Sequence, residues 1–99
     1  MFLGKVIGTV WSTRKDENLV GAKFLIVRHL DLKMKEKDNF VVAVDSVGAG
    51  EGEIVLVATG SSSRQTNFTQ NKPVDAVIMA IVDKLDVPTK EVLKKNKKE

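Results

Sequence analysis

A chain of 99 residues with 42% apolar and 29% charged residues is the size of one small domain. Such a domain buries only about two-thirds of the surface its unfolded chain exposes, so it folds alone but gains from association. With no Cys and one His, the composition excludes disulfides, thiolate metal sites and a Cys nucleophile.

The sequence pI of 9.3 invites a nucleic-acid reading, and the distribution of charge argues against it. Residues 1–83 carry ten basic and ten acidic side chains, whereas residues 84–99 carry six Lys against three acids. The formal charge of +3 therefore sits on the tail. A nucleic-acid groove needs a basic face on the folded body with stacking aromatics, and this chain has no Tyr, one Trp and three Arg. The N-terminus lacks a basic region followed by a long apolar run, and no apolar stretch nears the roughly 20 residues of a membrane helix. The expectation is a cytoplasmic chain with no nucleic-acid or membrane partner.

In chain order, residues 2–13 form the first predicted strand, interrupted by Gly4 and Gly8. Glycine inside a strand marks a bulge, a corner or a close backbone approach, which points to a bent strand in a small barrel. Residues 12–21 are polar and read as a long hairpin loop. The second strand covers residues 23–30 and holds His29, the one histidine; it reads as a half-buried strand residue, since a lone His is a poor metal site. Residues 31–39 mix both charge signs and read as a solvated loop. The third strand spans 40–45 and the fourth 53–59.

Between these two strands stand Gly48, Gly50 and Gly52. The run lacks both the GxGxxG opening of a helix and a Lys-Ser/Thr after the glycines, and Glu51 and Glu53 would repel phosphate. It reads as a shaped connection, not a phosphate loop. After the fourth strand, Gly60-Ser61-Ser62-Ser63-Arg64 suits one short helical turn with hydroxyl caps. Residues 65–73 are a polar loop, and Asn67-Phe68-Thr69 matches a glycosylation acceptor by chance. The fifth strand, 74–82, is apolar on both alternating sets, Ala76/Ile78/Ala80/Val82 and Val77/Met79/Ile81. A half-buried strand should alternate apolar with polar, so the second set predicts a covering partner, most simply a neighbouring subunit. Pro88-Thr89 could open a helix with little apolar face to bury.

The predicted fold is all-β: a small five-stranded OB-like Greek-key barrel over residues 1–83, with one short helical turn after strand 4 and a Lys-rich tail over 84–99.

Several blocks in order resemble one family. They are Met1-Phe2-Leu3-Gly4-Lys5-Val6-Ile7-Gly8-Thr9-Val10, Ser12-Thr13-Arg14-Lys15, Leu19, Gly21 and Lys23. Then come Asp45-Ser46-Val47-Gly48-Ala49-Gly50-Glu51-Gly52-Glu53, Gly60-Ser61-Ser62-Ser63-Arg64 and Pro73-Val74-Asp75-Ala76. The chain is similar there to the pentameric vertex proteins of bacterial microcompartment shells, the EutN/CcmL family. The resemblance implies a non-enzymatic shell protein that forms homo-pentamers and meets hexameric shell proteins, with no catalytic, cofactor-binding or metal-ligating residue. Candidate structural or interface residues are Asp45, Gly48, Gly50, Gly52, Gly60, Ser61, Arg64, Val77, Met79 and Ile81, with Arg64 expected to pair across a subunit boundary. The alternative is an OB-type binding module for nucleic acid or a small ligand, which fits the fold but not the neutral body.

Overall fold

The structure is a computed structural model that describes residues 1–12, 16–67, 69–70 and 74–88. Among these, five strands form: β1 (Phe2–Val10), β2 (Phe24–Leu30), β3 (Glu36–Asp45), β4 (Ile54–Thr59) and β5 (Ala76–Ile81). Two 3-10 turns join them, η1 (Glu17–Leu19) after β1 and η2 (Gly60–Arg64) after β4. Residues 13–15 of the first polar loop, Phe68 of the acceptor motif, Pro73, and the tail from Thr89 onward, where a helix could open, lie outside the described residues.

The strands close into a barrel in the order β1-β2-β3-β5-β4, with β4 pairing back to β1. Every neighbouring pair is antiparallel except β3 and β5, which run parallel. This is the five-stranded Greek-key barrel expected, and η2 is the expected turn after the fourth strand.

The glycines of β1 have separate roles. Gly4 faces the barrel wall, where a Cβ would run into Val27 Cγ1 and lie 3.0 Å from the Arg28 carbonyl oxygen. Gly8 follows a bulge in the β1–β2 register between Val6 and Gly8; its added Cβ would meet only Ile26 Cδ1 at 3.6 Å. Beside Gly4, the rings of Phe2 and His29 stack with centroids 3.7 Å apart. Burial, and secondarily the charge of Lys37, hold the His29 pKa below its ordinary value.

The third strand starts at Glu36 rather than at residue 40. A tight turn launches it. Asp31 Oδ1 accepts the N–H groups of Lys33 at 2.8 Å and Lys35 at 3.0 Å, while Met34 takes φ 66°. Leu30 then pairs with Glu36. Glu36 lies 3.7 Å from Lys5 and 3.6 Å from Arg28, and Arg28 also donates to the Lys37 carbonyl at 3.3 Å. Residues 36–40 are all exposed, so their strand carries no apolar alternation for the sequence to display.

Two apolar clusters divide the sheet's faces. Val6, Leu25, Val27, Ala43, Ala49, Val55, Val57, Ala76 and Ile78 fill the barrel. Val44, Ala58, Val74 and Val77 form a second cluster, with Phe24 and Met79 packed against it. Ala43 and Val44, Val57 and Ala58, and Val77 and Ile78 are sequence neighbours divided between the two. Successive strand side chains point to opposite faces, so the second cluster lies on the outside of the barrel.

Gly4→Val should lower unfolding stability by at least about 1–3 kcal/mol, because the added side chain overpacks against Val27 and the β2 backbone. Gly8→Ala should be near neutral. Urea unfolding of both variants checks this; equal effects would contradict the close-approach role of Gly4.

Candidate functional site

The most ordered polar construction in the chain is the connection from β3 to β4. β3 ends at Asp45, whose side chain is only 4% exposed. Its Oδ1 accepts the N–H groups of Val47, Gly48 and Ala49, each at 3.1 Å. Three consecutive amides can converge on one oxygen only if the chain coils tightly there. Gly48 supplies the coil with φ 79°, a conformation L side chains rarely adopt. The coil drives Ala49 inward, where it is fully buried in the barrel cluster and plugs that end.

A second carboxylate fixes the return. Glu53 Oε1 accepts the Gly50 N–H at 2.6 Å, and Gly52, at φ 89°, reverses the chain. Gly52 N–H then donates to the Val6 carbonyl at 2.8 Å, and Val6 N–H to the Glu53 carbonyl at 3.0 Å, which stitches the loop to β1. Lys23 Nζ donates to the Ala49 carbonyl at 3.2 Å and lies 4.0 Å from Asp45 Oδ2. The Lys23 side chain is half-exposed, so this ion pair adds little beside the amide bonds. Ser46 Oγ donates to the Ile78 carbonyl at 2.6 Å and ties the loop to β5.

This arrangement decides what the glycine run can do. A phosphate cradle needs free backbone N–H groups. Here the amides of residues 47–50 already donate to the chain's own carboxylates. The loop's chemistry is used up in holding its own shape. Among the described residues, no group of three His, Cys, Asp or Glu is placed to hold a metal.

The turn η2 packs beside β4 and β5. Gly60, at φ 63°, starts it, and its N–H donates to the Asp75 carbonyl at 2.9 Å. Ser63 is fully buried; its hydroxyl lies 2.6 Å from the Gly60 carbonyl and 3.0 Å from that of Val74, and one proton serves both. Arg64 Nη1 donates to the same Val74 carbonyl at 3.3 Å, so the described contact of Arg64 is to backbone within its own subunit. Ser61 is exposed.

The sequence-derived candidates thus fall in three places. Asp45, Gly48, Gly50 and Gly52 share the loop, although Gly50 needs no positive φ. Gly60, Ser61 and Arg64 share η2. Val77, Met79 and Ile81 lie on β5, where their burial differs. Val77 is fully buried by its own chain and has no surface to offer a neighbour. Met79 packs on the outer cluster and Ile81 on the barrel interior. The hydroxyl caps expected for η2 do not form: no side chain caps its start, and Ser63 instead binds carbonyls. Sequence reasoning missed Ser46 and the loop role of Glu53, for which the three-residue spacing from Gly50 is a local cue.

With this geometry in hand, comparison with known proteins is informative. The family described as ethanolamine utilisation protein EutN/carboxysome matches residues 1–83. The chain belongs to the EutN/CcmL family. Among the EutN/CcmL relatives, the shell vertex protein GrpN of Rhodospirillum rubrum is 49% identical over 86 residues, covering 87% of this chain and 97% of GrpN. The carboxysome shell vertex protein CcmL of Synechococcus elongatus is 43% identical and covers 96% of each chain. A solved GrpN structure, described as a pentameric microcompartment shell protein, superposes with TM-score 0.81 at 48% identity, covering 89% of this chain and all of that one (100%). A solved carboxysome subunit, CcmL, gives TM-score 0.86 at 45% identity, covering 90% of this chain and 93% of CcmL.

The loop geometry ranks its glycines. Gly48→Ala and Gly52→Ala should each cost about 1–2 kcal/mol, because both hold φ > 0. Gly50→Ala should cost clearly less, since its Cβ would meet only Glu53 Oε1 at 3.4 Å. Denaturant unfolding of the three variants gives the order, and a Gly50 variant as damaging as the others would contradict the loop description.

Proposed function

We propose that this chain is a structural subunit of a bacterial microcompartment shell, that five copies close into a ring, and that the ring occupies a shell vertex in the bacterial cytoplasm. The observation that carries this reading is the whole-barrel likeness to pentameric GrpN, which spans 89% of this chain and all of that one (100%) at 48% identity.

The physical logic supports it. A heterologous contact repeated about an axis gives a ring when the rotation closes. A flat six-fold layer cannot close on itself, and five-fold positions supply the curvature that lets it do so. The proposed partners are therefore further copies of this chain and hexameric shell proteins around them. The role is architectural and involves no reaction: the loop with the most polar geometry is occupied by its own hydrogen bonds. We assign residues 1–83 to the ring-forming barrel and residues 84–99 to an appended tail that the ring does not need.

Light scattering on the full chain should give about 55 kDa, five times 10.9 kDa. Removing residues 84–99 should leave five-fold assembly in place and lower the pI. A monomer at micromolar concentration would contradict the shell reading, and a truncated chain that fails to assemble would contradict the division into barrel and tail.

A further inference from the structure

Among the described residues, Met79 and Ile81 of β5 keep part of their surface, and the exposed large apolar side chains include two groups elsewhere. In one, Phe40 is 57% and Val42 44% exposed. Both are on the outer face of β3, because Val41 and Ala43 pack inward. Val42 pairs with Ile26, and Phe24 pairs with Val44 in the adjacent row. The outer apolar face therefore continues from the buried cluster along β3 and emerges as an exposed strip.

The same flank has an open strand edge. The ladder from β3 to β5 covers only Val44 and Asp45, and no described strand pairs with that edge of residues 36–43. Where the two strands part, a cleft of about 470 Å³ opens, lined by Val41, Val42, Thr59, Gly60, Asp75 and Ala76. Unpaired strand edges are usually shortened, charged or covered, because they recruit another backbone. This one begins with charged residues at 36–38 and turns apolar at Phe40 and Val42, beside the cleft.

The other group is Trp11, which is 89% exposed directly after β1. It is the only tryptophan in the chain. In the closed order, β2 and β3 separate β1 from the β3–β5 seam on one side, and β4 and β5 on the other. β1 does not border the seam, and Trp11, which lies beside Ala22, Lys23 and Phe24, shares no lining residue with the cleft. A ring requires two different, complementary patches on each copy. Large aromatic side chains that fill a neighbour's pocket carry most of the energy of such contacts.

We propose that the ring contact forms between these surfaces. Trp11 of one copy seats on the Phe40–Val42 strip and in the seam cleft of the next, whose open β3 edge it covers. The occupant is a second copy of this chain: the solved GrpN relative is pentameric, and one subunit carries both the exposed Trp11 and the open edge with its cleft. The proposal rests on the shell-vertex reading, and its test separates the two.

The test uses the full-length chain and its single Trp. In the assembled protein, Trp11 fluorescence should lie at short wavelength and resist acrylamide quenching, and dilution into subunits should reverse both. Trp11→Ala and Val42→Asp should each weaken self-association by more than about tenfold while far-UV circular dichroism and the unfolding of dissociated subunits match the parent. Both positions are substantially exposed, so neither change empties the core. A ring of five in which Trp11 is as quenchable as a free indole would overturn the contact and leave the vertex reading standing. So would rings from both variants as stable as the parent's. A parent chain that stays monomeric would overturn both.

Discussion

The barrel closes through a very short seam. β3 meets β5 in parallel at only two pairs, Val44 with Val77 and Asp45 with Ile78. A parallel ladder this short contributes little by itself. The side chains around it hold it. Asp45, at the seam, collects three amides of the following loop. Ser46 reaches across to the carbonyl of Ile78 at 2.6 Å. Val44 and Val77 belong to the outer cluster, on which Phe24 and Met79 pack. Hydrogen bonds to a charged acceptor are worth about 1.5–3 kcal/mol each, and three on one oxygen are not additive. Even one such bond is large against the stability expected of a domain of this size. The Asp45 carboxylate is the constraint on which the loop, the end plug at Ala49 and the closure all depend.

The seam also explains the assembly surface. Because β3 ends at Asp45 where β5 has only just begun at Ala76, residues 36–43 of β3 pair with no described strand on that edge, and Val42 and Phe40 stay exposed. A longer ladder would seal the barrel and remove the surface that a neighbour can use. In the proposed ring, incomplete closure within the subunit leaves the surface through which copies would meet. The neutral charge of residues 1–83 suits it, since copies packed about an axis do not repel strongly.

Much of this was legible in the sequence. β-branched runs marked four of the strands, and Gly4 and Gly8 announced a bent first strand because only a close approach or a bulge tolerates glycine there. The run from Asp45 to Glu53 was legible as a shaped loop. Other parts were hidden for identifiable reasons. The start of β3 is solvated on both faces, so residues 36–39 look like loop while pairing as strand. The two-sided apolar pattern of β5 signalled a cover correctly but could not say whose. Val77 is covered within its own chain by the cluster of Val44, Ala58, Val74, Phe24 and Met79. Trp11 offered no warning, because exposure is a property of the fold and not of the residue type.

The most direct measurement is residue-resolved amide hydrogen exchange at Val47, Gly48 and Ala49, in the parent chain and in Asp45→Ala. If the carboxylate holds the seam loop, these three amides are protected in the parent despite lying in an exposed connection. In the variant they should exchange many times faster, with Ala43 and Val44 following as closure loosens. Exchange at the free-chain rate in the parent, or protection unchanged in the variant, would contradict the claim that Asp45 organises the structure.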